Sequence, residues 1–303
     1  MFDSTRVKTL LCGPPARKPG DKDPIHITYL KTIISQVDKR RGPGEKIHVL
    51  DVGCGQGVLA DALEDSIKPH CRYVGLDRDA KAIRKLESRR RCQQVPFAPE
   101  YHATAVDAFR DVPGGFDIVV ACNLLHEITP FGVSSFLSEL VRHATRPDSL
   151  VVIIDMERLP SAEPEARGIV WTRAELEELV VAAGARITTA ATGRREVPSF
   201  LVAFSPDLRV FDVEGARPVE HAVMHRHFCA SVGSANEALD SIVNDDGPAT
   251  AEGVMTLLEA AVRANYIAGQ RPWPCEHPGP CQYRLGDARS PTGVPLASGS
   301  SRP

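Results

Sequence analysis

The chain contains 303 residues, of which 43% are hydrophobic, and its formal net charge is -3. This length and composition can support one α/β domain with a real core and a substantial appendage. The small net charge excludes a strong global attraction to nucleic acid or to an anionic membrane. No stretch approaches the ~20 apolar residues of a membrane span or the pattern of a signal peptide, so we expect a cytoplasmic protein without a membrane partner.

Short apolar segments alternate with amphipathic ones through the middle of the chain. A first helix is expected at residues 25–37, where apolar side chains recur at helical spacing. Strands are predicted at residues 47–52, 73–77, 101–106, 116–123, 150–156, 185–192 and 199–204. Helices are predicted between them at residues 57–66, 79–91, 133–146 and 173–183, the last one with Thr172 and Glu175 as a capping box.

This order of elements predicts an α/β fold with a doubly wound, mostly parallel seven-stranded sheet. Only a few residues join the last two strands, so these are expected to pair antiparallel at one sheet edge. We expect an N-terminal segment with one cap helix at 1–45, the α/β domain at 46–205, a mainly helical extension at 206–284 and a disordered tail at 285–303. Helices in the extension are predicted near residues 235–244 and 251–268.

The strongest local signal is the sequence VLDVGCGQG at residues 49–57, where an apolar strand runs into Asp51, Gly53, Gly55 and Gly57. Glycines allow a turn with positive φ and a close approach of a ligand, and the helix that follows presents free N–H groups. This pattern indicates a nucleotide-like ligand at the carboxyl end of the strand. The dinucleotide fingerprint requires glycine where this chain has Val58, which disfavours NAD and FAD.

The acid and three glycines of this turn resemble the first motif of the class I S-adenosylmethionine-dependent methyltransferases, which has the form acid-x-Gly-x-Gly-x-Gly. The resemblance extends from Lys46 to about Phe204. It implies that the turn, including Cys54 through its backbone, holds the methionine part of S-adenosyl-L-methionine.

A second acid, Asp77, ends the second predicted strand, 26 residues after Asp51. A carboxylate at about this distance can accept hydrogen bonds from both ribose hydroxyls, and Arg78 follows it in the same cofactor-binding segment. The resemblance further implies that Asp107 binds the exocyclic amine of adenine, with Ala108 beside the ring.

The segment DIVVACNLLHEI places Asn123 at the end of the fourth predicted strand. It is similar to the small-molecule branch of the family, in which such a segment lines the cofactor floor and the substrate mouth. The motifs of the DNA amino- and cytosine-C5-methylating enzymes are absent from it. His126 could act as a general base near neutral pH or could only pack and hydrogen-bond locally. Glu127 is a second catalytic candidate.

The resulting hypothesis is methyl transfer from S-adenosyl-L-methionine to an oxygen, nitrogen or carbon atom of a small molecule. Two alternatives stay open: an RNA or protein methyltransferase that uses the C-terminal extension for recognition, and a regulatory protein that binds the cofactor without turnover. No metal site is predicted. Cysteines and histidines do cluster in the extension, but the Cys-x5-Cys interval is longer than usual zinc spacings. These residues are His221, His225, His227, Cys229, Cys275, His277 and Cys281.

Overall fold

The computed structural model describes residues 25–42, 44–67, 71–93, 100–106, 115–146, 148–157, 169–193, 199–207, 210–244 and 251–269. The chain divides into two compact units, one ending at Met224 and one beginning at His225. The first unit thus continues beyond the boundary that the sequence predicts at residue 205. The predicted tail at 285–303 lies outside the described residues.

Seven strands of the first unit form one sheet. They are β1 (Ile47–Val52), β2 (Cys71–Asp77), β3 (Glu100–Ala103), β4 (Ile118–Cys122), β5 (Leu150–Met156), β6 (Arg186–Gly193) and β7 (Ser199–Ser205). Their order across the sheet is β3-β2-β1-β4-β5-β7-β6. The first five strands are parallel, whereas β7 is antiparallel to both β5 and β6. The predicted mostly parallel sheet with an antiparallel last strand is therefore confirmed.

Helices follow the strands in the expected alternation. They are α1 (Ile25–Asp38), α2 (Val58–Ile67), α3 (Ala80–Gln93), α4 (Val133–His143), α5 (Arg173–Ala182), α6 (Val213–Asn244) and α7 (Ala251–Ala268). A short 3-10 helix at Leu125–Glu127 follows β4. The predicted capping box at α5 is present, because Thr172 Oγ1 accepts from the Glu175 amide and the Glu175 carboxylate accepts from the Thr172 amide.

Helix α1 supplies an apolar face to the main core. Its buried residues Leu30, Ile34 and Val37 belong to the same core cluster as side chains of β1, α2, β4 and β5. Burying apolar side chains of this size contributes about 1.5–3 kcal/mol each, so α1 is part of the folded domain.

The prediction of a helix near residues 235–244 was wrong about where that helix begins, since α6 starts at Val213. Pro218 lies inside the helix and Gly215 and Gly233 interrupt its apolar pattern, so the helical period is weak in the sequence. In the second unit, Ala260, Ala264 and Ile267 of α7 are buried. None of the helices in the described part of the chain is both long enough and apolar enough to cross a membrane.

Candidate functional site

The glycine turn leaves β1 at the carboxyl edge of the parallel sheet. Gly53, Gly55 and Gly57 have φ values of 73°, 50° and 75°, a region that side-chain-bearing residues rarely adopt. The amides of Gly53 and Cys54 donate hydrogen bonds of 2.8 and 2.9 Å to the carbonyl oxygen of Leu76. These bonds fix the turn against the end of β2, so that ligand groups from both strands converge.

Asp77 lies at that end of β2 and is tied to the turn. Its Oδ2 accepts a 2.8 Å hydrogen bond from the Gly55 amide, and its Oδ1 accepts one of 2.8 Å from the Asp79 amide. A carboxylate oxygen can accept more than one hydrogen bond, so both oxygens retain capacity for ligand hydroxyls. The backbone contacts hold the carboxylate in one orientation at the edge of the cavity.

A cavity of about 610 Å³ opens at the carboxyl ends of these strands. This is where ligands bind in open α/β sheets. Seven of the predicted cofactor-binding residues line it: Asp51, Gly53, Cys54, Gly55, Asp77, Arg78 and Asn123. Gly57 does not line the cavity; its amide closes the turn by donating a 2.8 Å hydrogen bond to the Cys54 carbonyl oxygen.

The space beside the glycine turn lets a ligand come close to the backbone. A Cβ atom on Gly53 would lie 2.8 Å from the side chain of Leu124, whereas a Cβ on Gly55 would have no heavy atom within 4 Å. The space over Gly55 is therefore open on the cavity side of the turn. A ligand such as the amino acid part of a nucleoside cofactor can contact the backbone there.

Asp51 is a buried ionisable residue that lines the cavity. The hydroxyl of Tyr73 donates a hydrogen bond to its Oδ2, while its Oδ1 is buried with no hydrogen-bond partner among the described residues. Burial, together with the nearby charge of Asp77, raises the pKa of Asp51 to about 7, and the Tyr73 hydrogen bond opposes this rise. The orphaned oxygen fits a ligand that brings an N–H donor or a positive charge.

Asn123 connects the cavity to β5. Its φ of 53° is in the left-handed region, which asparagine tolerates better than most residues, and its amide donates a 2.8 Å hydrogen bond to the Ile154 carbonyl oxygen. Its exposed side chain lines the cavity. The sharp change in direction after β4 thus brings this predicted residue to the site.

His126 does not reach the cavity as a general base on a substrate would require. It is buried, and its Nδ1 lies 2.7 Å from Oδ1 of Asp155. Asp155 Oδ2 also accepts from the amides of Leu125 and His126 at 2.6 and 3.3 Å. The geometry favours the second interpretation of His126, a local hydrogen-bonding role that ties the 3-10 helix to the end of β5.

Glu127, the other catalytic candidate, does line the cavity. Its Oε2 lies 4.0 Å from Nη2 of Arg78, and both side chains are more than half exposed. An exposed ion pair of this length contributes little to stability. Glu127 is therefore available to a ligand at the mouth of the cavity.

The cavity has an apolar surface, formed by Ile27 of α1, Phe136 of α4 and Ile128, which we call the apolar wall. Ile128 belongs to the segment after β4 that was predicted to line the site, whereas Ile27 and Phe136 were not predicted from the sequence. The apolar pattern of α1 and of the start of α4 is visible in the sequence, but neither segment is close to the glycine motif in sequence. Tyr73 was also missed, although its hydroxyl in an otherwise apolar buried strand calls for a polar partner.

Two parts of the expected site lie outside the described residues. These are the adenine-binding residues expected at Asp107 and Ala108, and Cys275, His277 and Cys281 of the extension, for which no metal site is predicted. Within the part of the chain that is described, no group of three or more histidine, cysteine or acidic side chains is arranged to hold a metal ion. His225 Nε2 and Cys229 Sγ lie 3.7 Å apart on one face of α6.

A protein-family model described as a methyltransferase domain matches residues 50–149. The match begins in the strand that precedes the glycine turn and ends just before β5. Among curated proteins, the ubiquinone biosynthesis O-methyltransferases of Methylocella silvestris and Albidiferax ferrireducens are 27% and 30% identical over 116 residues. Those alignments cover 35% and 38% of this chain and 43% of each relative, so the chain spans less than half the length of the relatives that it matches.

Solved structures with a similar chain path include magnesium protoporphyrin IX methyltransferase from Synechocystis PCC 6803, with a TM-score of 0.46 and 16% identity over 67% of this chain and 94% of that one. An N-methyltransferase from Bradyrhizobium japonicum has a TM-score of 0.45 and 16% identity over 66% and 96% of the two chains. The family match over residues 50–149 and the motif-bearing sheet edge together identify a methyltransferase domain within the α/β part of the chain.

Proposed function

We propose that the protein transfers a methyl group from S-adenosylmethionine to a nucleophilic atom of a small-molecule acceptor. The observation that carries the proposal is that one cavity is lined both by the glycine turn with Asp51 and Asp77 and by the apolar wall. The first three groups suit a nucleoside cofactor with an amino acid part. The apolar wall suits an acceptor with an apolar body.

Residues at the ends of two strands, β1 and β2, hold the cofactor. Asp77 is positioned by the amides of Gly55 and Asp79 to accept hydrogen bonds from ribose hydroxyls. The turn at Gly53 and Gly55 offers backbone contact to the methionine part, and Asp51 offers the unpaired Oδ1. Arg78 and Asn123 complete the rim of this half of the cavity.

When bound, the cofactor supplies an already activated methyl group, so the protein has little chemistry to perform beyond alignment. Ile27, Ile128 and Phe136 would orient the acceptor by apolar contact and exclude water. Of the acids that line the cavity, we propose Glu127 as the proton acceptor, because its carboxylate is more than half exposed.

The acceptor class is tested by following S-adenosylhomocysteine formation with the purified protein. Three preparations from the source cells serve as acceptors: the small-molecule fraction, the RNA and the protein. We expect time-dependent product with the small-molecule fraction and a much slower reaction with Asp77→Ala at the same cofactor concentration. Turnover with RNA or protein alone would favour the recognition role for the C-terminal extension.

The non-catalytic alternative has a distinct outcome in the same experiment. A regulatory protein would bind S-adenosylhomocysteine but would form none from S-adenosylmethionine with any of the three preparations. Binding without turnover by the folded protein would therefore contradict the proposed enzymatic function while leaving the cofactor site intact.

A further inference from the structure

Asp51 is a buried carboxylate at the cavity, and one of its two oxygens is hydrogen-bonded while the other has no partner among the described residues. Strands β1 and β2 are parallel, with Val49 opposite Tyr73. Asp51 therefore lies two residues further along on the same face of the sheet as Val49. From its position opposite Val49, the long Tyr73 side chain reaches Oδ2 of Asp51. The other carboxylate oxygen, Oδ1, has no hydrogen-bond partner in the described part of the chain.

The titratable groups that bear on Asp51 come from three elements: Tyr73 and Asp77 from β2, Cys54 from the turn and Cys122 from β4. Burial keeps the pKa of Tyr73 well above its usual value, and burial also raises the pKa of both thiols. The phenol and the thiols are therefore neutral near pH 7, while Asp77 brings a negative charge. Among these described groups, none supplies a positive charge to the carboxylate.

We propose that Tyr73 is a positioning residue for the amino acid part of the cofactor: by holding Oδ2 of Asp51, it leaves Oδ1 to accept a hydrogen bond from the ligand's ammonium group. This inference rests on the proposed function. Tyr73 does not line the cavity, so its effect is transmitted through the orientation and the charge of Asp51.

The geometry also determines what happens to the proton of Asp51. In the ligand-free protein at mildly acidic pH, the carboxyl proton resides on Oδ1, because Oδ2 accepts from Tyr73. When the ammonium group arrives, the bond between Oδ1 and its proton breaks, the proton passes to solvent and the carboxylate pairs with the cation. The ammonium group keeps all of its own protons. Binding is therefore coupled to the release of one proton.

Isothermal titration calorimetry in buffers of different ionisation enthalpy counts the protons released as ligand binds. Two probes isolate the amino acid part: S-adenosylhomocysteine carries the ammonium group, and 5′-methylthioadenosine lacks it. With the wild-type protein at about pH 6, we expect S-adenosylhomocysteine to release nearly one proton, and this release to fall toward zero by about pH 8. We expect 5′-methylthioadenosine to release none at either pH.

Tyr73→Phe removes the hydroxyl and keeps the ring. Since the hydroxyl stabilises the carboxylate, its loss should move the proton-release profile to higher pH and weaken S-adenosylhomocysteine binding about tenfold near pH 7. Raising the pH should restore much of that affinity. Affinity for 5′-methylthioadenosine should stay unchanged, which also reports that the variant is folded. Asp51→Asn, which cannot ionise, should release no proton with either probe.

Equal proton release with the two probes would overturn the proposal. So would a Tyr73→Phe variant that loses affinity for both probes without recovery at higher pH, because that is the behaviour of a merely structural residue. Failure of the folded wild-type protein to bind either probe would instead contradict the proposed function, and this inference with it.

Discussion

The amide of Gly55 donates a 2.8 Å hydrogen bond to Oδ2 of Asp77, which joins the glycine turn after β1 to the acid at the end of β2. The two cofactor motifs are 22 residues apart at these positions, yet they form one hydrogen-bonded unit. A substitution at either position should therefore change the orientation in which the other residue contacts a ligand.

Replacing the acid tests its role in ribose binding. Asp77→Ala should weaken S-adenosylhomocysteine binding at least tenfold, because hydrogen bonds to a charged group contribute about 1.5–3 kcal/mol. Asp79→Ala is the matched control, since Asp79 accepts from the Lys81 amide at the start of α3 and does not line the cavity. Titration calorimetry measures both affinities, and equal affinity for the two variants would argue against a ribose contact.

A side chain at the turn tests the close approach of the ligand. Gly55→Val should fold, since a Cβ there meets no heavy atom within 4 Å, at a backbone cost of about 1–2 kcal/mol. Its side chain should nevertheless reduce cofactor affinity strongly by occupying the cavity. Gly44→Val carries a comparable backbone cost, with a φ of 85° and equally open space, but lies outside the cavity. Similar cofactor affinity in both variants would refute the steric role of position 55.

The raised pKa of Asp51 predicts a pH-dependent stability. Burial raises this pKa to about 7 in the folded protein, above its value in the unfolded chain. The contribution of Asp51 to stability is therefore complete below about pH 4 and is lost as the pH rises through about 7. Without ligand, the free energy of unfolding of the wild type should fall relative to that of Asp51→Asn across this range, by a few kcal/mol. Urea denaturation at several pH values measures the difference, and parallel profiles would contradict the burial of an ionisable Asp51.

The pair formed by His126 and Asp155 should matter more for stability than for chemistry. Asp155→Ala leaves the buried amides of Leu125 and His126 without their acceptor and should cost about 3 kcal/mol. His126→Asn should lower the melting temperature while leaving most of kcat. A fall in kcat of about 100-fold or more with unchanged stability would instead indicate the general-base role for His126.

The apolar wall predicts a change in acceptor binding that is separate from cofactor binding. Ile27→Ala should raise the KM for the acceptor and leave S-adenosylhomocysteine affinity unchanged, because Ile27 lines the cavity with an apolar side chain that offers the cofactor no hydrogen bond. Ile34→Ala is the matched control: it is equally buried on the same helix but does not line the cavity. Steady-state kinetics with the identified acceptor compare the two, and equal KM values would remove Ile27 from the acceptor site.

The cofactor half of the site could be predicted from the sequence because its parts are local. A glycine turn directly after a strand, and an acid at the end of the next strand, each carry a signal within a few residues. Parallel pairing of β1 and β2 then places the glycine turn and the acid next to each other at the same edge of the sheet. The mostly parallel sheet with an antiparallel last strand is confirmed for the same reason, since short strands alternate with helices through most of the domain.

The remaining parts of the site depend on contacts between distant segments. Asp155 comes from β5 and holds His126, which is 29 residues away in the chain, so the motif at His126 could not reveal that its side chain is already engaged. Tyr73 of β2 reaches Asp51 of the neighbouring strand β1, 22 residues away in the chain. Ile27 arrives from a helix that precedes the domain. Each contact follows from tertiary packing, which a pattern in one segment does not encode.

A crystal structure of the protein grown with S-adenosylhomocysteine tests the central claim most directly. We expect the ribose hydroxyls to bind the carboxylate of Asp77 and the ligand's amino group to lie against the glycine turn, within hydrogen-bond distance of Asp51 Oδ1. A ligand bound elsewhere on the chain, or bound in this cavity with its ribose away from Asp77, would contradict it.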